Sequence, residues 1–173
     1  MIKTISAERT IDAPADLIFE RLASIARHPE WDETAQRVEP ITEGDATAVG
    51  AEWKVFESFG IFHFVSGDDN AQQGTAPSKR TLKELVPNER VAWSTHTMPS
   101  LGVSATVTWT LSAEGRFTRA AVDVSISVPG VVERVRRVVF RALDTRYQQQ
   151  LNSTIDRLQA VCEAEVAQLV VAV

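Results

Sequence analysis

From Val131 to about Ala167 the chain contains neither proline nor glycine, and its apolar residues recur at helical spacing. A helix of that length, rising ~1.5 Å per residue, reaches roughly 50 Å, enough to lie along an entire antiparallel sheet. The stretches just before it have a different repeat. Val103-Ser104-Ala105-Thr106-Val107-Thr108-Trp109-Thr110-Leu111 alternates, and so does Val122-Asp123-Val124-Ser125-Ile126-Ser127-Val128, before Pro129-Gly130 intervene. A period of two marks strands with one buried face, and a period near 3.6 marks a helix with an apolar stripe. A sheet that curls around such a helix encloses either packed core or a cavity. That choice decides what the protein does.

The earlier part of the chain supplies the rest of the sheet. Residues 2–11 read as a first strand, after which Asp12-Ala13-Pro14 punctuates. Pro14 suits the first turn of a helix and Asp12 a cap near its start. Leu17, Ile18, Phe19 and Leu22 give that helix one apolar side, and a second short helix or turn covers 25–31, broken by Pro29. Further strands are predicted at 36–41, 51–59, 61–66, 80–86, 90–97, 103–111 and 119–128, separated by glycine-, proline- and asparagine-bearing turns. Residues 66–77 are polar and without period, which predicts a long surface loop. Strands in succession closed by a terminal helix indicate an α+β fold. The expectation is a curved antiparallel sheet of about seven strands around the C-terminal helix, with two short helices after strand 1, in one domain spanning 1–173.

Composition narrows the function. An apolar fraction of 44% with 24% charged residues is globular. A net charge of −5 disfavours nucleic acid as a partner. The single cysteine, Cys162, cannot form an internal disulfide and reads as a small buried hydrophobe. No apolar run approaches the ~18 residues of a membrane span. Residues 1–9 alternate and carry charges where a signal peptide has its apolar core, so a cytoplasmic location is predicted. The apolar tail 169–173 is too short to anchor the chain.

Few motifs carry chemistry. His28, His63 and His96 lie in separate elements with no ligand-spaced pair, so no metal is expected. There is no nucleophile elbow and no glycine-rich phosphate loop, so no cofactor is expected either. His63 and His96 read as strand histidines facing solvent ahead of catalytic bases. Strand parity is more informative, because it puts Ala51, Trp53, Val55 and Glu57 on one face. If that face is inward, Glu57 is an acid among apolar neighbours, and burial favours its neutral form unless a cation is close. It is then a candidate ligand anchor or general acid. The plain alternative is a carboxylate exposed at the strand end.

The long helix carries two apolar sets. Phe140, Tyr147, Leu151, Ile155, Leu158 and Cys162 share a face, whereas Val131, Val135, Val138, Val139 and Ala142 fall nearly opposite. A straight helix cannot press both onto one sheet. Either the helix bends or breaks between 141 and 147, or its first half buries valines against a pocket rim, a second subunit or a membrane surface. Arg134, Arg136, Arg137, Arg141 and Arg146, five of the eighteen basic residues, lie there too. A solvated basic face is the plainer reading, ahead of contact with a lipid surface.

Several segments share a wider pattern. Ile11-Asp12-Ala13-Pro14-Ala15-Asp16-Leu17-Ile18-Phe19-Glu20-Arg21-Leu22, Arg27-His28-Pro29-Glu30-Trp31, Gly50-Ala51-Glu52-Trp53, the run from Leu82 to Trp93, and Thr108-Trp109-Thr110-Leu111 with Gly115 and Thr118 follow in order over nearly the whole chain. The series resembles the START-like SRPBCC superfamily, which includes polyketide cyclase/dehydrase and lipid-transport proteins. The resemblance implies a helix-grip fold with an apolar pocket between sheet and long helix, and it makes the 66–77 loop a candidate lid. It fixes no activity, because the scaffold hosts binders, transporters, cyclases and hydratases. No residue carries over as catalytic.

The expected function is binding, or transport, of a small hydrophobic ligand such as a lipid, polyketide or aromatic metabolite. Trp53, Glu57, Trp93, Val107, Trp109, Phe140 and Tyr147 are the expected lining, with His96 and Met98 near the mouth. One alternative is a cofactor-free cyclase/dehydrase-type enzyme using Glu57 or His96 for acid–base chemistry. Another is a protein-interaction module presenting the half-helix 131–146. The chain is expected to be a monomer or a homodimer.

Overall fold

Alternating residues and tight turns assemble seven antiparallel strands in the computed structural model, which describes residues 2–57, 77–98, 103–127 and 133–171. The strands are β1 (Ile2–Ile11), β2 (Ala35–Pro40), β3 (Glu52–Glu57), β4 (Ser78–Val86), β5 (Arg90–Met98), β6 (Val103–Glu114) and β7 (Phe117–Ser127). Their order across the sheet is β1-β7-β6-β5-β4-β3-β2. After β1 the chain crosses to the far edge through helix α1 (Ala15–Ala23) and a 3₁₀ helix (Ile25–Glu30), then meanders back strand by strand.

Turn chemistry sets the registers. In the β6–β7 hairpin Glu114 pairs with Phe117, and Gly115 takes the left-handed conformation, φ 70°, that a two-residue connection requires. Between β4 and β5 the Glu89 N–H donates to the Val86 carbonyl at 3.0 Å, with Pro87 first and Asn88 at φ 62° second. That is the residue choice of a type II turn. Register shifts between Ala35 and Arg37, Leu82 and Glu84, and His96 and Met98 interrupt the ladders. Such irregularities bend the strands that carry them and help the sheet curl.

Helix α2 (Glu133–Val171) runs without interruption, so the two apolar sets are not accommodated by a break. Its second half presents Leu151, Ile155, Leu158 and Cys162 to the core, where Ile11, Ile18, Leu22, Leu82 and Trp109 are also closed to solvent. Polar ties fix its position. The Asp12 N–H donates to Glu163 at 3.1 Å, the Gln148 amide donates to the Ser6 carbonyl at 2.9 Å, and Arg9 pairs with Asp156 at 2.7 Å. Arg21, buried on α1, reaches both Glu30 and Glu165.

Most sequence expectations match these elements to within two residues; β6 overruns its expected end by three residues and α2 by four, and three details are refined. Asp12 does not cap α1; its carboxylate pairs with Arg116 at 3.2 Å, and Pro14 itself occupies the cap position without a side-chain bond. Strand β2 begins at Ala35, which is drawn in because its side chain is buried. Strand β4 begins at Ser78, whose buried hydroxyl donates to the Val55 carbonyl at 3.3 Å. The strand expected at 61–66, nearly all of the 66–77 loop, His63 and Val131 lie outside the described residues.

Truncating Ile155, which is fully buried on α2, should cost about 2–5 kcal/mol in urea denaturation. Leu169→Ala, at a position 59% exposed, should cost less than about 0.5 kcal/mol in the same measurement. Equal costs would show that the second half of α2 is not seated on the sheet.

Candidate functional site

Between the concave face of the sheet and α2 lies a cavity of about 160 Å³. Strand parity builds its wall. On β6 the inward residues are Ala105, Val107 and Trp109; on β7 they are Val122, Val124 and Ile126. Ile5 closes one side from β1, and Tyr147, Gln150, Leu151 and Thr154 cover it from α2. Trp109 and Val122 are sealed, whereas Val107 and Val124, next along the same strands, are only half-buried. The space beside them accounts for the difference.

One end of this apolar chamber is polar. Glu57 from the end of β3, Arg80 from β4 and Asp32 from the segment after the 3₁₀ helix all reach its lining. The Arg80 guanidinium is 5% exposed and approaches Glu57 at 3.3 Å and Asp32 at 3.6 Å through the same nitrogen, Nη2. Asp32 also accepts from the Thr34 backbone N–H at 3.1 Å and its hydroxyl at 2.6 Å. Burial raises the Glu57 carboxyl above the ordinary range; Arg80 opposes that shift and Asp32 adds to it. Burial, together with the charge on Glu57, likewise pushes the Tyr147 phenol well up.

His28 holds this cluster in place. Arg80 Nη1 donates to His28 Nδ1, so Nε2 carries the proton and donates to the Leu22 carbonyl at 2.9 Å. Burial and the neighbouring guanidinium drive its pKa well below the ordinary value. The imidazole is therefore a neutral spacer rather than a base. It lies 4.8 Å from Trp31 and 4.9 Å from Trp93, centroid to centroid, and Trp31 meets Trp109 edge-on at 6.0 Å. Arg80 stands 5.3 Å from the Trp93 ring. Indole, imidazole and guanidinium form one packed column from β6 to β4.

Of the nine residues expected at the pocket, the fold brings Glu57, Trp93, Val107, Trp109 and Tyr147 into the lining. Trp53 is buried elsewhere, its indole N–H donating to the Ala46 carbonyl at 3.1 Å beneath the β2–β3 connection. His96 is exposed, one residue out of step with the inward Trp93 and Thr95. Neither touches the cavity. The side chains of Met98 and Phe140 lie outside the described residues. Sequence reasoning missed Arg80, Asp32, Trp31 and the role of His28. Arg80 left a signal, since it shares parity with the core residue Leu82 and an inward arginine needs a partner. Asp32 and Trp31 sit in irregular chain that carries no period to read.

Among the described residues no three His, Cys, Asp or Glu side chains are grouped as a metal site. Cys162 is buried, which pushes its thiol up to about 12. No helix among the described residues is long and apolar enough to cross a membrane.

The comparisons agree with this architecture. The family model described as polyketide cyclase / dehydrase and lipid transport matches residues 3–163. The Zhui aromatase/cyclase from Streptomyces sp. R1128 superposes with a TM-score of 0.70 at 15% identity, over 96% of each chain. A point mutant of norcoclaurine synthase from Thalictrum flavum, solved with a transition-state analogue, gives 0.63 at 16% identity, over 95% of this chain and 96% of that one. Ara h 8.0201 gives 0.61 at 13% identity, over 92% and 99%. At such identities the likeness is one of fold. No curated protein matches by sequence.

Arg80→Met should destabilise the protein by about 3–5 kcal/mol at pH 8, because it leaves two buried carboxylates without their cation. The sign with pH follows from Glu57. Its folded pKa is raised, so the native state takes up the proton first and gains stability as pH falls toward the ordinary carboxylate range. The deficit of the variant should therefore shrink at pH 5. Urea titrations at both pH values test this, and a deficit independent of pH would contradict it.

Proposed function

Because the chain belongs to the polyketide cyclase/dehydrase and lipid transport family, we propose that it binds a small, largely apolar molecule in the cavity beneath α2. One observation carries this reading: the wall is aliphatic and aromatic, while its charged groups gather at a single end. A ligand with an apolar body and one polar group fits that division. Burial of the body contributes ~25 cal/mol per Å² removed from water, and the polar end fixes orientation. Val107 and Val124, half-buried in the free protein, are the residues such a ligand would cover.

A cyclase/dehydrase activity on the same site is the second reading, favoured by the convergence of Glu57, Arg80 and Tyr147. A carboxyl raised by burial holds its proton to higher pH than an ordinary one and can donate it, and the adjacent guanidinium can stabilise an enolate oxygen. Substitution separates the readings. For an enzyme, Glu57→Gln should lower turnover about 100-fold or more while affinity for the same substrate stays within a few-fold. For a binding protein there is no turnover to lose.

The binding reading is tested by filling the space. Val107→Trp should weaken the affinity of a neutral apolar probe such as N-phenyl-1-naphthylamine by about tenfold or more, the probe's ring being displaced from a buried wall. Thermal unfolding checks that the variant remains folded. An unchanged affinity in the folded variant would place the probe elsewhere and end the proposal.

A further inference from the structure

Hydrogen bonding at the polar end of the cavity is unbalanced in one direction. The acceptors there are engaged. Asp32 accepts twice from Thr34 and faces Arg80 Nη2, Glu57 accepts from Arg80 Nη2 at 3.3 Å, and His28 Nδ1 accepts from Arg80 Nη1. The donors are not. Arg80 Nε, Trp31 Nε1 and Trp93 Nε1 are closed to solvent and have no hydrogen-bond partner among the described residues. All three side chains line the chamber, and the residues are only 4%, 1% and 2% exposed. Guanidinium and indole N–H groups can only donate. Buried donors without a partner are costly and uncommon in native interiors, and three in one cluster call for an acceptor that the described side chains do not provide. Two of the three are neighbours, with the Arg80 guanidinium carbon 5.3 Å from the Trp93 ring centroid. The Ser94 hydroxyl, unpaired as well, shares parity with the exposed His96 rather than with the lining.

Resting on the cavity reading above, we infer that the polar group of the ligand is a neutral carbonyl: an aromatic ketone whose oxygen accepts from Arg80 Nε–H and Trp93 Nε1–H while its ring system lies toward Val107 and Val124. The two lone pairs of a carbonyl oxygen match two neighbouring donors and bring no proton that needs an acceptor in turn. An alcohol brings one such proton to a cluster whose acceptors are already engaged, and an ammonium brings three. A carboxylate would accept, but it places a like charge beside Asp32 and Glu57, a juxtaposition that disfavours the charged form. The ketone supplies the acceptor without the charge.

Four probes sharing one body test this at pH 7.5: 1-acetylnaphthalene, 1-ethylnaphthalene, 1-(1-naphthyl)ethylamine and 1-naphthoate. In proton–nitrogen NMR spectra the ketone is expected to move the Trp93 indole N–H and Arg80 Nε–H protons downfield of their positions in the ethylnaphthalene complex, which supplies the same ring without an acceptor. The Trp53 indole N–H, already donating to the Ala46 carbonyl, should not differ between the two complexes. In Trp93→Phe the affinity for the ketone relative to the hydrocarbon should fall about threefold to tenfold, the scale of one hydrogen bond. Donor protons that sit alike in the ketone and hydrocarbon complexes, or an amine or naphthoate that binds more tightly than the ketone, overturn the inference and leave the cavity reading standing. Failure of all four probes to bind overturns both. The spectra of the unaltered protein decide the matter by themselves should the variant fail to fold.

Discussion

A buried arginine is the constraint on which the rest of this structure turns. Taking a guanidinium out of water is costly unless acids and hydrogen-bond acceptors surround it. Arg80 meets that demand with Glu57 on the neighbouring strand, Asp32 from the segment after the 3₁₀ helix, and a neutral His28. The cluster therefore ties the irregular chain after β1 to the middle of the sheet. It also places charged groups at one side of a largely apolar chamber, and so gives the cavity two unlike ends.

The cavity stays open because the elements above and below it are fixed elsewhere. The second half of α2 is seated by Leu151, Ile155, Leu158 and Cys162, and held at its flank by Arg9–Asp156 and by Arg21–Glu165. At the other side the Trp31–Trp109 edge contact props the short helices against β6. With both supports in place the inward side chains between them, Ala105, Val107 and Val124, are too small to close the gap. On the reading proposed above, function depends on what the unfilled space admits.

The architecture was legible because it rests on periodicity. Alternation around Trp109 and Val122 and the helical spacing from Tyr147 to Cys162 are local patterns, and the sheet and helix follow from them. Parity put Glu57 on one face with Trp53 and Val55 but left open whether that face is inward or the carboxylate is exposed at the strand end. The partner was not legible: Arg80 lies 23 residues away and meets Glu57 only once β3 and β4 pair. His96 is exposed, as its reading as a solvent-facing strand histidine has it; only its placing near the pocket mouth ran against parity with Trp93. Trp53 faces inward yet packs beneath a connection whose path no period encodes. Long-range pairing, rather than composition, decides which inward residues share a cavity.

Methyl-resolved NMR with a saturating neutral aromatic compound such as naphthalene tests the central claim most directly, because it reports which apolar side chains a guest touches. The account predicts shifts concentrated at Val107, Val124, Ile126 and Leu151, the wall of the chamber, with the exposed Ile2, Ile41 and Val49 unmoved. Shifts confined to the exposed methyls, or none at saturation, would mean that the space beneath the helix admits no ligand, and the account would fail.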